Sequence, residues 1–470
     1  MPLDLFAEVS RIRLTKADAK NARKAVADGR LDGVFPAGSA ARPLLLVGRE
    51  PQIERLNGLG AELLAGAGSA KHNRIAVALH GPRGVGKTVL LDTFANAVLK
   101  RGAMVIADVG DALSSEERLI RFIQTKIAPD PEVTKTLRGK AGLDGFGVGG
   151  DMTWKSQGGR PELGSVKDAL EALIASHGAG KPKPTLITLD EAHNCDPLTL
   201  GKLLNASQKL NGQGWPIIIA IAGTPDLLDV LGDAHATWFM DRNRSDRLMP
   251  VGNLTDVECA QAISAPLDAL GVGYDREALH AAAEWCWGSP YFSQSLGLCA
   301  LRTLDFAGGK DARADFSREG PIRQSFRQDA NGRYFQAWTG IDQRGLTSCA
   351  RQLGMLWRWS KAVPGRVIST DDVDAAVQSG LRHPPSHRVP EHSTSEAERY
   401  FRHLGLLWDP AGGEGRWELG LPSFFDYAEA IYQSKRRPRY HSKLADLDAD
   451  LETVIPWDAS FDEDVAGITP

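Results

Sequence analysis

Short apolar runs alternate with amphipathic segments between Arg74 and Gly223. Runs of this kind, without a polar residue at every second position, are typical of strands buried on both faces of a sheet. Strands that alternate with helices predict a parallel α/β sheet with helices on both faces. The predicted strands are RIAVAL (74–79), AMVIADVG (103–110), TLITLDEAH (185–193) and PIIIAIAG (216–223), with RPLLLVG (42–48) as a further strand-like run.

The strand pattern stops near Asn253, and three successive amphipathic helices follow, which predict a small all-α lid. Further along, three helical segments precede LGLLWD and RWELGLP, a pair of strands joined by the turn sequence PAGGEG. Three helices and a hairpin are the plan of a winged helix. The predicted domains are an N-terminal helical preface (1–40), an α/β core (41–252) with a glycine-rich insertion (137–164), the lid (253–310), a winged-helix-like domain (324–433), and a basic cluster with an acidic tail (434–470).

The segment HGPRGVGKTVLL (80–91) lies between a predicted strand and a predicted helix. It matches the pattern G-x-x-x-x-G-K-[ST], in which glycines turn backbone N–H groups toward phosphates and the next helix presents its positive end. In that interpretation Lys87 bridges the β- and γ-phosphates of ATP and the Thr88 hydroxyl ligates Mg²⁺. The alternative, a glycine turn without a ligand, lacks a reason for the flanking strand and helix. The predicted phosphate-binding residues are Gly81, Pro82, Arg83, Gly84, Val85, Gly86, Lys87 and Thr88.

Two acidic residues and a threonine follow the later strands. Asp190 ends the strand TLITLD and is predicted to bind Mg²⁺, while Glu191 beside it is predicted to polarise the attacking water. Thr224 follows the last strand, where a small polar group reaches the γ-phosphate or the water. The alternatives are structural, because both acids can cap the next helix and Thr224 can be the N-cap of a helix that begins at Pro225. The order of the motifs favours hydrolysis.

Three arginines, Arg242, Arg244 and Arg247, cluster between the predicted sheet and the lid. An arginine that reaches the γ-phosphate in a neighbouring subunit stabilises the transition state, so the cluster is a candidate arginine finger. Charge clusters are also common on solvated surfaces, and the sequence leaves both interpretations open.

With these elements in this order, the chain resembles AAA+ P-loop ATPases of the origin-recognition-like and bacterial STAND-type branch. The resemblance rests on LLLVGREPQIERL, GPRGVGKT, LITLDEAH and IAGTPDL. It implies that Val47 and Gly48 line an adenine pocket, that Pro290 contacts nucleotide from the lid, and that Thr224 and Arg244 act in catalysis together with Glu191. One departure is that Gly288-Ser289-Pro290-Tyr291 lacks the arginine that many lids of this family carry. This departure favours a slow switch over a fast motor.

Composition adds little to this picture. The 470 residues carry a formal net charge of -4, with 42% hydrophobic residues, as is ordinary for a soluble protein with a core. The five cysteines form no CxxC pattern, and no segment has the apolar length of a membrane helix, so we expect a cytoplasmic protein without a membrane partner. Residues 444–470 hold eight acidic residues and no basic one, directly after the basic cluster at 435–443.

The sequence therefore predicts an ATP-binding and ATP-hydrolysing molecular switch, homo-oligomeric when ATP is bound, whose nucleotide state controls self-association and the winged helix. Residues 393–443 are a candidate DNA-binding region, although the predicted reading helix mixes Glu396 and Glu398 with Arg399, Arg402 and His403. A regulatory domain that packs on the core is the competing interpretation. The alternative functions are a DNA-engaging assembly ATPase of the replication-initiator or transposition type, and a STAND-type scaffold with little turnover and an unidentified protein partner.

Overall fold

The computed structural model describes residues 14–37, 42–66, 76–109, 111–127, 165–177, 183–235, 247–304, 312–363, 367–382, 392–410, 415–425 and 427–428. The predicted insertion at 137–164, Arg242, Arg244 and the tail at 434–470 lie outside these residues. No helix among the described residues is both long enough and apolar enough to cross a membrane.

A five-stranded sheet of order β2-β3-β4-β1-β5 forms the centre of the core, and every pair in it is parallel. Its middle strands are buried along their full length, as expected for a sheet covered on both faces. The strands are β1 (Ala76–His80), β2 (Met104–Val109), β3 (Thr185–Asp190), β4 (Ile217–Gly223) and β5 (Leu248–Pro250).

Helices cover both faces of this sheet. One face packs on α2 and α3, through residues such as Leu56 and Phe94, and the other packs on α4 to α7, through residues such as Leu170 and Leu204. The predicted α/β architecture is thereby confirmed. These helices are α2 (Glu50–Ala65), α3 (Lys87–Leu99), α4 (Glu116–Ile127), α5 (Val166–His177), α6 (Pro197–Gly212) and α7 (Leu227–Asp233), and α1 (Lys16–Ala27) precedes them.

The lid consists of α8 (Asp256–Leu270), α9 (Arg276–Ala283) and α10 (Pro290–Arg302), and a short parallel pair, β6 (Gly273–Tyr274) and β7 (Arg313–Ala314), closes it. Helix α1 packs on the lid, because Ala22 and Ala25 belong to the same apolar cluster as Ile263 and Leu267. A 23-residue helix, α11 (Pro321–Gln343), leads from the lid to the C-terminal domain.

The C-terminal domain has the element order of a winged helix. It contains α12 (Thr347–Ala362), α13 (Thr370–Arg382), α14 (Thr394–His403) and the antiparallel pair β8 (Leu407–Trp408) and β9 (Glu418–Leu419). A bridge between Ile368 and Trp417 adds a third short strand position to the pair. Its buried residues, among them Phe401 and Leu407, join the apolar cluster of the lid, so lid and winged helix share one core.

One predicted element is wrong, and two elements were not predicted. The run at 42–48 forms no strand, because Leu45 and Val47 are buried against Ala262 of the lid rather than paired in the sheet. Strand β5 was not predicted, since its three residues are too short for a periodic signal. Helix α11 was not predicted either, although Phe326, Ala330, Tyr334 and Trp338 recur at intervals of four and are buried.

Candidate active site

The P-loop, Gly81–Thr88, leaves the end of β1 and runs directly into α3. Gly84 and Gly86 have φ angles of 82° and 92°, in the left-handed region that favours glycine. Gly86 is the N-cap of α3 and supplies no side-chain hydrogen bond to the first turn. The amides of that turn therefore remain available to an anion, and the helix dipole favours negative charge at the same place.

Lys87 is buried, and its ammonium is held against the start of the P-loop. The Nζ donates hydrogen bonds to the carbonyl oxygens of Gly81 at 2.9 Å and Pro82 at 2.6 Å. Burial lowers the pKa of Lys87 to about 8, although the nearby carboxylates of Glu191 and Asp190 oppose the shift. A desolvated cation at a ring of backbone N–H groups fits a phosphate ligand well.

Thr88 and Asp190 lie together at the carboxyl edge of the sheet. The Thr88 hydroxyl donates to Asp190 Oδ2 at 2.7 Å, and Asp190 Oδ1 accepts the Glu191 N–H at 3.0 Å. Burial raises the pKa of Asp190 despite both hydrogen bonds. Hydroxyl and carboxylate oxygens are the ligands that Mg²⁺ prefers, so this pair fits that ion. Asp92, whose pKa burial and the charge of Asp190 raise to about 6, is a further carboxyl group near Asp190 that sequence reasoning missed.

Glu191 adopts a left-handed conformation with φ 52°, which is unusual for a residue other than glycine. Its side chain is 42% exposed, and its Oε2 lies 3.3 Å from Nε2 of His193, whose side chain is fully buried. His193 Nδ1 accepts the backbone N–H of Thr224 at 3.3 Å, so the neutral imidazole carries its proton on Nε2. Burial lowers the pKa of His193 to about 4, which keeps the ring neutral.

The geometry between His193 and Glu191 is electrostatic contact rather than a well-aligned hydrogen bond. His193 Nε2 is buried and makes no hydrogen bond to any of the described residues. A buried N–H donor without an acceptor is costly, so the half-exposed carboxylate of Glu191 is its natural partner. His193 thus connects Glu191 to Thr224, a role that the pattern LDEAH did not reveal because the contact spans two strands.

Thr224 is fully buried at the end of β4, in the turn Thr224–Asp226 that we call the sensor turn. Its hydroxyl donates to the carboxylate of Asp226. Burial favours the neutral form of Asp226, but hydrogen bonds from His403 and Thr224 outweigh it, and the pKa of Asp226 lies below its usual value. The Asp226 carboxylate is therefore an anion that binds both Thr224 and His403 of the winged helix.

A cavity of about 410 Å³ lies between the P-loop, the segment before α2 and the lid. Val47 and Pro290, two of the residues predicted to contact nucleotide, line this cavity, whereas Gly48 does not. Gly48 has a φ of 64°, and a Cβ there would stand 2.5 Å from Glu258 Oε1 of α8, so only glycine fits. The cavity has the position and size of a nucleotide site.

Arg49 is a structural anchor of this cavity that sequence reasoning did not single out. It is buried and donates hydrogen bonds to the carbonyl oxygens of Gly48 at 2.8 Å, Val85 at 3.0 Å and Gly252 at 2.8 Å. Burial lowers its pKa to about 10. One guanidinium therefore ties the segment before α2 to the P-loop and to the end of β5. Arg247, the third arginine of the predicted cluster, lies just before β5 and is partly buried.

The winged helix contacts both the P-loop and the sensor turn. Arg402 Nη1 lies 2.9 Å from Asp229 Oδ1 of α7, and His403 Nδ1 lies 3.1 Å from Asp226 Oδ2. Gly405 has a φ of 70°, and a Cβ on it would be 2.6 Å from the backbone N of Arg83. The end of α14 is thus in close contact with the nucleotide-binding elements.

The hairpin of the winged helix reaches the same place. A Cβ on Gly420 would be 2.8 Å from the Pro82 side chain, and the Trp408 ring packs edge-on against His80 at 6.3 Å. Three potential metal-ligand atoms also lie within 4.8 Å of one another, one each from His193, Asp226 and His403. Because His193 already accepts from Thr224 and faces Glu191, we interpret this group as a hydrogen-bonded junction.

The comparisons with known proteins agree with this geometry. Residues 45–219 match the family model described as an AAA ATPase domain. The chain carries an AAA+ P-loop ATPase domain. The match includes the P-loop, β1 to β3 and the start of β4, whereas the rest of β4 and β5 lie beyond it.

Solved structures resemble the AAA+ domain together with the lid and the C-terminal elements. A Walker-type ATPase of Pyrococcus abyssi is similar over 82% of this chain and 96% of its own, with a TM-score of 0.51 and 15% identity. Cdc6p from Pyrobaculum aerophilum (86% and 99% coverage, TM-score 0.43, 16% identity) and the ORC2 protein of Aeropyrum pernix (84% and 96%, 0.46, 13%) are also similar. At 15% identity, the likeness to the Pyrococcus abyssi protein concerns the fold alone. No curated protein matches the sequence.

Proposed function

We propose that this chain is an ATP-hydrolysing AAA+ switch whose nucleotide state sets the position of the winged helix and, with ATP bound, promotes self-association. The observation that supports the proposal most directly is the contact of the winged helix with the nucleotide-binding elements. Gly405 lies against the backbone of Arg83, and His403 binds Asp226. Any change in the P-loop or the sensor turn that follows nucleotide binding therefore acts directly on the winged helix.

The residues of the site have complementary tasks in hydrolysis. Bound Mg²⁺, held by Thr88 and Asp190, would neutralise charge on the phosphates. The P-loop amides and Lys87 orient the phosphate chain, and the Glu191 carboxylate accepts a proton from the water that attacks the γ-phosphorus while the bond to ADP breaks. Val47 and Pro290, which line the cavity, would enclose the adenosine end of the nucleotide, and Gly48 would allow the chain to turn beside them.

The docked winged helix restrains this chemistry. The Thr224 hydroxyl is donated to Asp226, which His403 holds in turn, so the hydroxyl points to protein rather than to a phosphate or a water. Release of His403 frees Asp226 and Thr224 to rearrange. The proposed switch therefore has a docked state with slow turnover and a released state with faster turnover.

DNA is a proposed partner of the released state. In the docked state Arg402 and His403, which end α14, face the core, so these two residues are not free to touch a phosphate backbone. The basic residues at 435–443 lie outside the described residues. Stimulation of turnover by duplex DNA would favour an assembly ATPase, whereas tightly held nucleotide with almost no turnover would favour a scaffold.

The test compares ATP turnover, with and without duplex DNA, for the native chain, Glu191→Gln, and a double variant Arg402→Ala with His403→Ala. We expect Glu191→Gln to bind ATP without turnover. The double variant should turn over about fivefold faster or more, as expected for coupling of at least about 1 kcal/mol. Arg399→Ala, an exposed arginine on the same helix, is the matched control. Equal rates for the double variant and the control would refute the coupling, and absence of ATP binding would refute the whole proposal.

Self-association through an arginine finger is tested by mixing two inactive variants. Arg244→Ala keeps the nucleotide site, whereas Lys87→Ala keeps Arg244, so a mixture should recover turnover if Arg244 acts in a neighbouring subunit. The same pairing with Arg242→Ala and Arg247→Ala identifies which arginine acts. Mixtures that never exceed either parent would exclude catalysis between subunits through these arginines.

A further inference from the structure

Helix α11 places an arginine in the nucleotide cavity that no motif predicted. Arg333 lies along the cavity wall together with Tyr291 of the lid. Its guanidinium carbon is 3.9 Å from the centroid of the Tyr291 ring. A Cβ on Gly84 of the P-loop would be 3.5 Å from Arg333 Nη2 and 3.2 Å from Tyr291 Cβ. Arg333 therefore stands beside the residue where the P-loop turns toward its phosphates.

Within the part of the chain that the structure describes, Arg333 has no protein counterion. Among the described residues, no carboxylate lies within ion-pair distance of Arg333, and its recorded contact is the ring of Tyr291. Stacking holds the plane of a guanidinium but leaves its N–H groups at the edge free to donate. Such an arginine is oriented in advance for an anion, and little conformational freedom is lost when it binds one.

The charge balance of the cavity identifies the kind of anion. The lining carries four basic side chains and a single carboxylate, that of Glu191. The basic residues are Arg49, Arg83, Lys87 and Arg333. An excess of fixed positive charge in a partly closed space favours a ligand with several negative charges, and a triphosphate chain has them.

We propose that Arg333 is a phosphate-binding residue of the nucleotide site, contributed by α11 and oriented by the Tyr291 ring. The inference rests on the proposed function for the identity of the ligand, a nucleoside triphosphate. At the start of lid helix α10, position 291 is a tyrosine and not an arginine. The cation that stacks on this tyrosine is Arg333 of α11, 42 residues further along the chain. The tyrosine of the lid and the arginine of α11 form one unit.

The test measures equilibrium binding of ATP, ADP and AMP by calorimetry to the native chain and to Arg333→Ala. Arginine–phosphate hydrogen bonds are charge-assisted, so we expect ATP to bind about 10- to 100-fold more weakly to the variant, with a smaller loss for ADP and the smallest for AMP. Arg333→Lys should recover part of the ATP affinity, because it keeps the charge but not the planar fork.

Gln336→Ala is the control, since Gln336 is an exposed residue one turn further along the same helix and does not line the cavity. It should bind all three nucleotides like the native chain. Equal losses for ATP and AMP in Arg333→Ala, or ATP affinity within about twofold of native, would overturn the inference and make Arg333 a structural partner of Tyr291. If Arg333→Ala does not fold, Arg333→Gln replaces it with the same expected order of losses. Because binding is read without turnover, a native chain that binds ATP but does not hydrolyse it refutes the proposed switch and leaves this test intact.

Discussion

Replacement of His193 tests whether the buried imidazole orients Glu191 for catalysis. In His193→Ala, the Thr224 N–H loses its acceptor, and the Glu191 carboxylate loses the buried Nε2–H group that lies 3.3 Å from it. We expect two separable effects, one on stability and one on turnover. The comparison variant is His280→Ala, which removes an exposed histidine of the lid.

The size of each effect follows from the contacts. An unpaired buried amide costs about 1–3 kcal/mol, so the free energy of unfolding should fall by at least that amount, since the cavity left by the ring adds to it. A well-aligned hydrogen bond to a carboxylate contributes about 1.5–3 kcal/mol. The His193–Glu191 contact is not well aligned and Glu191 is 42% exposed, so we take about 1–2 kcal/mol for it. One factor of ten in rate corresponds to about 1.36 kcal/mol, so kcat should fall about 5- to 30-fold.

The assay is steady-state ATP turnover at a temperature where the variant is fully folded, with stability measured by urea unfolding. KM should stay near the native value, because Lys87 and the P-loop amides are unchanged in the variant. A kcat within about twofold of native, together with the expected loss of stability, would show that His193 supports the fold but does not orient Glu191.

Three further substitutions test the docking of the winged helix, the titration of a buried carboxyl group in α14 and the arginine that anchors the cavity. Gly405→Ala places a methyl group against the Arg83 amide and should detach the winged helix, which limited proteolysis would detect as faster cleavage of the variant. Burial raises the pKa of Glu398 to about 8, so the folded state holds a proton that the unfolded state has lost, and stability should fall as pH rises from about 4.5 to 8. Glu398→Gln should therefore raise the melting temperature at pH 8 and change it little at pH 4.5. Arg49→Met removes three hydrogen bonds to buried carbonyls and should lower the free energy of unfolding by about 2–4 kcal/mol, without rescue by Arg49→Lys.

Each of these has its own control. Gly29→Ala shares the left-handed backbone of Gly405 with no atom within 4 Å of the added methyl, so equal effects would mean that backbone strain alone is responsible. For Glu398→Gln, a gain in melting temperature that is the same at both pH values would contradict the titration. For Arg49, a free energy of unfolding that is native in Arg49→Lys would show that the positive charge matters and the three hydrogen bonds of the guanidinium do not.

The sequence was informative wherever a local pattern decides the structure. Strands β1 to β4 are long apolar runs, and the P-loop glycines are required by the backbone itself, so both could be predicted from neighbouring residues. Helix α11 was missed because its buried residues are separated by arginines and glutamines that make the whole segment look polar. A stricter search at intervals of four would have found it.

The contacts that join the winged helix to the active site could not be predicted from local patterns. Arg402 and Asp229 are 173 residues apart, and His403 and Asp226 are 177 apart. Nothing in the neighbourhood of either residue identifies its partner. Arg333 was missed for the same reason, since its place in the cavity depends on how α11 packs against the lid.

The uninterrupted length of α11 makes it a lever between nucleotide and winged helix. From Arg333 at the cavity to Arg344, stacked on Tyr400 of α14, the helical rise amounts to about 16 Å. If α11 tilted by about 10° at Arg333, Arg344 would move by about 3 Å, which is about the length of a hydrogen bond. A small adjustment around a phosphate would thus become a displacement large enough to part Arg344 from Tyr400.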